Sequence, residues 1–245
     1  MRFSRIRLLI GEGAFKRLNA THVAVIGLGA VGGYAVEGLA RAGIGRFTLV
    51  DFDLIQPTNI NRQILALEST LDQLKADAAV QRVCDINPAC RVEALNLFID
   101  QNNVETLLNR RPDIIIDAID SLNPKVQLLR ASHASGIPTF SSMGAALRTD
   151  PQKIRVGDLS RTDHCPLAKR IRKRLRRDGI TSGITCVYST ESVRFDFPQK
   201  DSDNPAERTI DRGRCRNTLG SLPTITAIFG LTLANVVIQR LCESS

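Results

Sequence analysis

The segment VAVIGLGAVGGYAVEGLARAGIGRFTLVD, residues 23–51, limits what this chain can fold into more than any other stretch. Val23, Ala24, Val25 and Ile26 form a short apolar run without alternation, the pattern of a parallel strand buried on both faces. The run breaks into Gly27-Leu28-Gly29-Ala30-Val31-Gly32, with Gly33 behind it. Val31, Ala35, Gly38, Leu39 and Ala42 then return at helical spacing, and Arg41 and Gly43 suit a helix end. A second strand over 46–50 delivers Asp51. Strand, glycine turn, helix, strand and acid is the setting in which GxGxxG binds a nucleotide. There Gly27 permits the turn, Gly29 lets the backbone approach phosphate, and Gly32 lets the helix pack close to the strand. Asp51 accepts hydrogen bonds from ribose hydroxyls. A purely structural glycine turn is the alternative, and the completeness of the context argues against it.

The rest of the first 145 residues continues the alternation. Residues 2–18 read as an amphipathic helix with Ile6, Leu9 and Ile10 on one face. A loop over 52–59 leads to a short helix over 60–67 and a stronger one over 75–86, where Ala76, Val80 and Val83 take core spacing and Asn87-Pro88 is the stop. A third strand over 91–99 and a helix over 104–109 come next. Residues 112–120 form a buried strand ending in Asp120, and Asn123-Pro124 reads as a cap with Pro at the first helical position. Another strand spans 136–142. This predicts an α/β fold, a doubly wound, Rossmann-like, mostly parallel sheet. Residues 153–156 and 185–189 add C-terminal strands, 196–222 form a long polar loop, and an apolar helix closes the chain. Without repeats or a dividing linker, residues 1–245 are one domain: a nucleotide-binding half, 1–145, and a decorated half, 146–245.

Charge narrows the partner. Lys plus Arg number 33 against 25 Asp plus Glu, and the resulting +8 favours a polyanion. The excess concentrates in KRIRKRLRR, where Lys169, Arg170, Arg172, Lys173, Arg174, Arg176 and Arg177 crowd into nine positions. Leu167, Ile171 and Leu175, four apart, can pack while the cations project as a nucleic-acid face; a merely solvated helix face is the alternative. Cys84, Cys90, Cys165, Cys186, Cys215 and Cys242 contain no CxxC pair, which argues against a disulfide scaffold and a four-cysteine zinc site. Arg2, Arg5 and Arg7 interrupt any apolar leader, so a cytoplasmic location is expected. The uncharged run TITAIFGLTLANVVI, 224–238, falls short of the roughly 20 residues a spanning helix needs. It reads as a buried or subunit-interface helix, and no stable membrane insertion is expected.

Glycines alone suggest a nicotinamide dehydrogenase, but the residues after Asp51 point elsewhere. Asn59, Arg62 and Gln63 stand together as N-x-x-R-Q, and Lys75 comes at the next helix start. A dinucleotide diphosphate is served by backbone amides at the helix N-terminus. Two further cations here imply a polyphosphate such as that of ATP, with Arg62 gripping oxygens as a fork and Lys75 acting as a point charge. Asp120, at a strand end on the same sheet edge, either holds Mg2+ bridging phosphate oxygens or caps the helix after it.

GLGAVG, LVDFD, NINRQ, Lys75 and DAIDS together resemble the ubiquitin-activating-like (ThiF-type) adenylyltransferases, which include the sulfur-carrier-activating enzymes of thiamine and molybdopterin synthesis. The resemblance covers essentially the whole chain. RFSR…GEGAF, PLAKRIRKRL, CVYSTE and the glycine-bearing C-terminal helix are most similar to the tRNA threonylcarbamoyladenosine dehydratases within it. By that resemblance Gly29 contacts ATP phosphate, Asp51 the ribose, Asn59, Arg62, Gln63 and Lys75 the polyphosphate, and Asp120 binds Mg2+. Arg5 takes the place of an arginine that reaches a neighbouring subunit's ATP, although Ile6 stands where Gln is usual and Arg7 is a rival. Cys165 replaces a more usual acid before Pro-Leu; it is expected to be non-catalytic, with a thioester nucleophile as the alternative. Cys186 is expected to be a buried strand cysteine, and His133 and His164 have no matching partners. The resemblance implies ATP and Mg2+ as cofactors, no zinc, a modified tRNA as substrate and a homodimer, and it admits a partner from a sulfurtransferase system. The implied reaction is adenylation of the threonyl carboxylate of the modified adenosine, which then cyclises with loss of water. Competing readings are activation of a sulfur-carrier or ubiquitin-like protein, a nicotinamide dehydrogenase for which Lys75 matters little, and a non-catalytic RNA-binding module.

Overall fold

The computed structural model describes residues 2–193 and 219–243. Seven strands form one sheet in the order β3-β2-β1-β4-β5-β7-β6: β1 (His22–Ile26), β2 (Arg46–Val50), β3 (Arg91–Leu95), β4 (Ile114–Asp117), β5 (Thr139–Ser142), β6 (Ile154–Asp158) and β7 (Thr185–Ser189). All neighbours are parallel except the edge pair β6–β7. The chain winds outward from β1 through β2 to β3 and then returns to lay β4 on the other side of β1. That reversal opens a crevice at the carboxyl ends of β1 and β4, where doubly wound sheets take their ligands. Ile26 lies level with both Val50 and Asp117, so three strands end together beneath it.

Helices cover both faces: α1 (Ser4–Ala20), α2 (Gly32–Ala42), α3 (Lys75–Ile86), α4 (Val104–Leu108), α5 (Leu122–Ala134), α6 (Pro166–Leu175) and α7 (Pro223–Glu243). By length and composition α7 qualifies as a membrane-crossing helix. Its packing shows a different use for the apolar side chains. Ile225, Phe229, Leu233 and Val237 are buried in the main core, and α7 lies so close on α2 that a Cβ on Gly230 would stand 2.3 Å from the Val31 carbonyl oxygen. Gly38 makes the reciprocal approach, 2.9 Å from the Ala234 methyl to its own virtual Cβ. Gly230→Ala is therefore expected to cost about 2–3 kcal/mol by overpacking and to lower Tm by roughly 4–12 °C, measured by thermal melting.

Several local expectations need correction. Helix α1 is broken at Gly11 (φ 80°, ψ 162°), and the break resets its periodicity. Ala14, Phe15 and Leu18 pack after it, whereas Leu8 and Leu9 stand 86% and 83% exposed, so Leu9 does not join an inward face. Residues 60–67 are not a helix; short 3-10 turns at Pro57–Asn59 and Glu68–Thr70 frame a non-helical stretch. The Asn59 side chain accepts from the Gln56 N–H at 3.1 Å, which closes the first of these turns. Strand β3 ends at Leu95 because the Leu97 N–H folds back onto the Leu95 carbonyl. Ser121, not Asn123, is the residue before α5, and the Asn123 amide oxygen accepts from Arg174 instead. Most of the expected 196–222 loop, and Cys215 within it, lies outside the described residues.

Candidate nucleotide site at the switch point

The glycine turn closes the floor of the crevice. Gly27 has φ +88°, donates its N–H to the Val50 carbonyl at 2.9 Å, and passes so near the next loop that a Cβ would stand 2.8 Å from the Ala118 carbonyl oxygen. A Cβ on Gly32 would lie 1.7 Å from the Gly27 carbonyl oxygen. Gly29 differs: a Cβ there meets nothing nearer than Gln63 Nε2 at 3.8 Å. No atom of the described residues demands glycine at 29, which leaves open space there that a ligand could use.

Asp51 is buried where β2 ends, and its Oδ2 accepts the Leu28 N–H at 2.7 Å while Oδ1 accepts the Asp53 N–H at 2.9 Å. Burial pushes its carboxyl above the usual carboxylate range, against the Lys75 charge and these two donors. Two of its roughly four lone-pair directions hold the turn in shape through these two N–H groups. Lys75 opens α3; its buried Nζ pairs with Asp53 Oδ2 at 2.8 Å, and its N–H donates to the Asp53 carbonyl at 3.0 Å. Sequence reasoning missed Asp53, the second acid of LVDFD, although its spacing from Asp51 was the available signal.

Arg62, Asn59 and Gln63 share the turn above. Arg62 Nη1 donates to the Thr58 carbonyl (3.0 Å) and to Asn61 Oδ1 (2.8 Å). The Asn59 carbonyl receives the N–H groups of Arg62 and Gln63. Gln63 is buried beside Gly29, and its Oε1 has no hydrogen-bond partner among the described residues. Gln63 Nε2 is the side-chain atom nearest the space over Gly29, so its N–H2 could donate to a phosphate there. Asp120 is exposed one residue beyond the β4 loop that Gly27 touches, and Ser121 Oγ donates to its Oδ1 at 3.2 Å. Among the described residues no three His, Cys, Asp or Glu side chains converge. One exposed carboxylate would fit Mg2+, which ordinarily takes one or two protein carboxylates and keeps its other ligands from water and phosphate.

Beneath that loop sits a network that sequence reasoning missed. Asp117 and Lys125 form an ion pair at 2.8 Å with both side chains 0% exposed, and Ser141 Oγ donates to Asp117 Oδ2 at 2.7 Å. A lysine on a helix reads as a surface residue until the sheet places an acid under it.

The remaining candidates lie outside the crevice. Arg5 is exposed on the first half of α1, and Arg7 lies over the Phe15 ring at 4.4 Å. On α6, Ala168, Ile171 and Leu175 are buried and Lys169, Arg170, Lys173 and Arg174 are exposed, as are Arg176 and Arg177 in the 3-10 turn that follows. Arg172 departs from the expected outward face, since its guanidinium turns in to the Thr162 carbonyl at 2.6 Å. Cys165 precedes α6 and is buried. Cys186 is wholly buried in β7, where burial pushes its thiol up and away from nucleophilic use. His133 and His164 are exposed, the latter 3.3 Å from Asp163.

Glu191 in CVYSTE accepts from the Thr149 N–H (2.9 Å), the Thr149 hydroxyl (3.0 Å) and the Asp150 N–H (3.0 Å). Burial raises its carboxyl, but these donors and the Arg148 charge outweigh that and hold it below the usual range. A depressed carboxyl contributes stability above the unfolded value, near 4.3, and loses it as pH falls through the folded value. Glu191→Gln should therefore lower Tm at neutral pH, and melting curves should show the gap to wild type narrowing below about pH 4.

A family model described as the ThiF family matches residues 3–244. The tRNA threonylcarbamoyladenosine dehydratase of Bacillus subtilis is 43% identical over 190 residues, covering 78% of this chain and 75% of the relative. The crystal structure of Escherichia coli tRNA N6-threonylcarbamoyladenosine dehydratase, TcdA, in complex with ATP superposes with a TM-score of 0.86 at 34% identity, covering 98% of this chain and 93% of that one. The Escherichia coli molybdopterin-synthase adenylyltransferase is 33% identical over 135 residues, covering only 55% of this chain and 53% of its own.

Proposed function

Since this chain belongs to the ThiF family, we propose that it is an ATP-dependent tRNA threonylcarbamoyladenosine dehydratase. The observation that carries the reading is the pairing of a ribose-side acid with cations one turn further on. Asp51 shapes the glycine turn, while Lys75 Nζ and Arg62 Nη1 are held by Asp53 and the Thr58 carbonyl. A diphosphate needs only the helix N-terminus; these extra charges suit a triphosphate whose outer phosphates depart.

The chemistry is set by the leaving group. A carboxylate cannot lose oxide, so its oxygen first attacks the ATP α-phosphorus and pyrophosphate leaves. Lys75 and Arg62 stabilise the charge gathering on that pyrophosphate. Mg2+, held by Asp120, would supply further neutralisation of the phosphate oxygens. The resulting acyl-adenylate is attacked by a nitrogen or oxygen of the same carbamoyl group, AMP departs carrying the carboxylate oxygen, and the attacking group gives up its proton. The net change in the nucleoside is loss of one water. Intramolecular closure can contribute ~7–11 kcal/mol through proximity, so no protein nucleophile is demanded.

The nucleotide-binding half, 1–145, handles ATP, and 146–245 carries RNA contacts and a dimer interface, with Arg5 reaching the partner's nucleotide. A cytoplasmic location and assistance from a sulfurtransferase system belong to the same reading. Replacing Lys169, Arg170 and Lys173 with alanine is expected to weaken tRNA binding broadly. The slope of log K against log salt should shrink by about 2–3 if each residue meets one phosphate. Filter binding across a salt series measures it; an unchanged slope removes α6 from the RNA surface.

The direct test of the reading is ATP turnover against alternative acids. AMP should appear with tRNA carrying threonylcarbamoyladenosine and not with the unmodified transcript or a carrier protein ending in Gly-Gly. AMP formed only with the carrier would make the chain a sulfur-carrier activator.

A further inference from the structure

Asp117 and Lys125 hold the peptide that leads into Asp120 at both ends. Asp117 Oδ1 accepts the Ile119 N–H at 3.1 Å, and Lys125 Nζ donates to the Ile119 carbonyl at 2.9 Å. The same two side chains pair with each other at 2.8 Å, and Ser141 on β5 fixes Asp117 Oδ2 at 2.7 Å. One residue earlier, the Ala118 N–H donates to the Ile26 carbonyl at 2.8 Å, and the Ala118 carbonyl is the atom that a Cβ on Gly27 would strike. The glycine turn, the β4 loop and the ion pair thus form one rigid contact chain, with Asp120 at its end.

Removing two charges fully from water is costly, and a buried pair stabilises a fold little better than apolar side chains of similar volume. Core stability alone therefore gives this chain no reason to bury Lys125. Positioning does. We propose that Lys125, with Asp117, is a positioning residue for the adenylation step: the pair clamps the Ile119 peptide so that Asp120 faces the phosphates bound over the Gly27 turn. The clamp acts on the transition state through Asp120 rather than on ATP affinity, which the glycine turn, Asp51 and Lys75 provide. This inference rests on the ATP-dependent reading above.

The test replaces the ion pair with a neutral pair, Asp117→Asn with Lys125→Met, which keeps the oxygen facing the Ile119 N–H and drops the grip on its carbonyl. The clamp predicts a folded protein with KM for ATP close to wild type and kcat for AMP formation lower by about 10-fold to 100-fold, the scale of a small misplacement of reacting groups. In an Asp120→Asn background the neutral pair should add little further loss, because both changes act through one carboxylate. A purely structural pair would instead lower Tm, leave kcat per folded molecule unchanged and multiply with Asp120→Asn. Ser141→Ala, which removes one hydrogen bond to the clamp, covers the case in which the neutral pair yields no soluble protein; it should lower kcat without moving KM for ATP. Wild-type rates in Ser141→Ala or in a folded neutral pair overturn the clamp. A wild-type chain that makes no AMP with modified tRNA overturns the functional reading and the clamp with it.

Discussion

Lys75→Ala is expected to slow AMP release by about 10²–10³-fold, the usual cost of removing one preorganised charge from a developing anion. The fold should survive the change. Lys75 lies at the first position of α3, and its partner Asp53 is 39% exposed, so water can replace the lost ammonium around that carboxylate. Asp51 loses a favourable charge as well, and burial already pushes its carboxyl up, so the ribose contact should weaken and KM for ATP rise severalfold. Arg62→Ala should behave alike with a smaller loss, because the Arg62 side chain is partly exposed and, among the described residues, tethered only through Nη1. Single-turnover measurement of AMP separates the effect on chemistry from that on binding. A nicotinamide dehydrogenase reading predicts instead that Lys75→Ala changes little.

A pair of alanines in the glycine turn should give opposite failures. Gly32→Ala puts a methyl 1.7 Å from the Gly27 carbonyl oxygen, a distance no side-chain rotation relieves, and should leave little soluble protein. Gly29→Ala puts its methyl in open space, 3.8 Å from Gln63 Nε2, and should melt like wild type. That space faces the buried Gln63 amide, where a phosphate would pass, so ATP affinity should fall by about 10²-fold or more as the backbone amides are held off the phosphate. Thermal melting and equilibrium binding of a fluorescent ATP analogue measure the two properties separately. A Gly29→Ala protein that binds ATP normally would move the phosphates away from this turn.

The parallel half of the sheet was legible because its cues are local. An apolar run, a glycine turn, a helical period and a terminal acid sit in order between residues 23 and 51, and the same rhythm recurs up to 142. The added β6 and β7 were visible as short strand-like runs at 153–156 and 185–189. Where local patterning competes with backbone events it misled: Gly11 splits α1, so Leu9 no longer shares a face with Ala14, Phe15 and Leu18. Residues 60–67 have helix-compatible composition, yet the flanking 3-10 turns leave them non-helical. Arg172 lies among outward cations in the sequence, and only the fold shows the Thr162 carbonyl waiting for it. Asp51, Arg62 and Lys75 were legible as candidates because each charge follows the glycine turn within one strand–loop–helix segment of the sequence. Asp117, Lys125 and Ser141 were not, because their partnership spans β4, α5 and β5 and exists only once the sheet is assembled.

The central claim is that ATP is spent here to make a tRNA-borne carboxylate reactive. The purified chain should be incubated with ATP, Mg2+ and unfractionated tRNA, and the nucleosides from the digested tRNA weighed. Threonylcarbamoyladenosine should be replaced by a nucleoside lighter by one water, with one AMP formed for each conversion. An unchanged nucleoside mass together with no AMP would contradict the account.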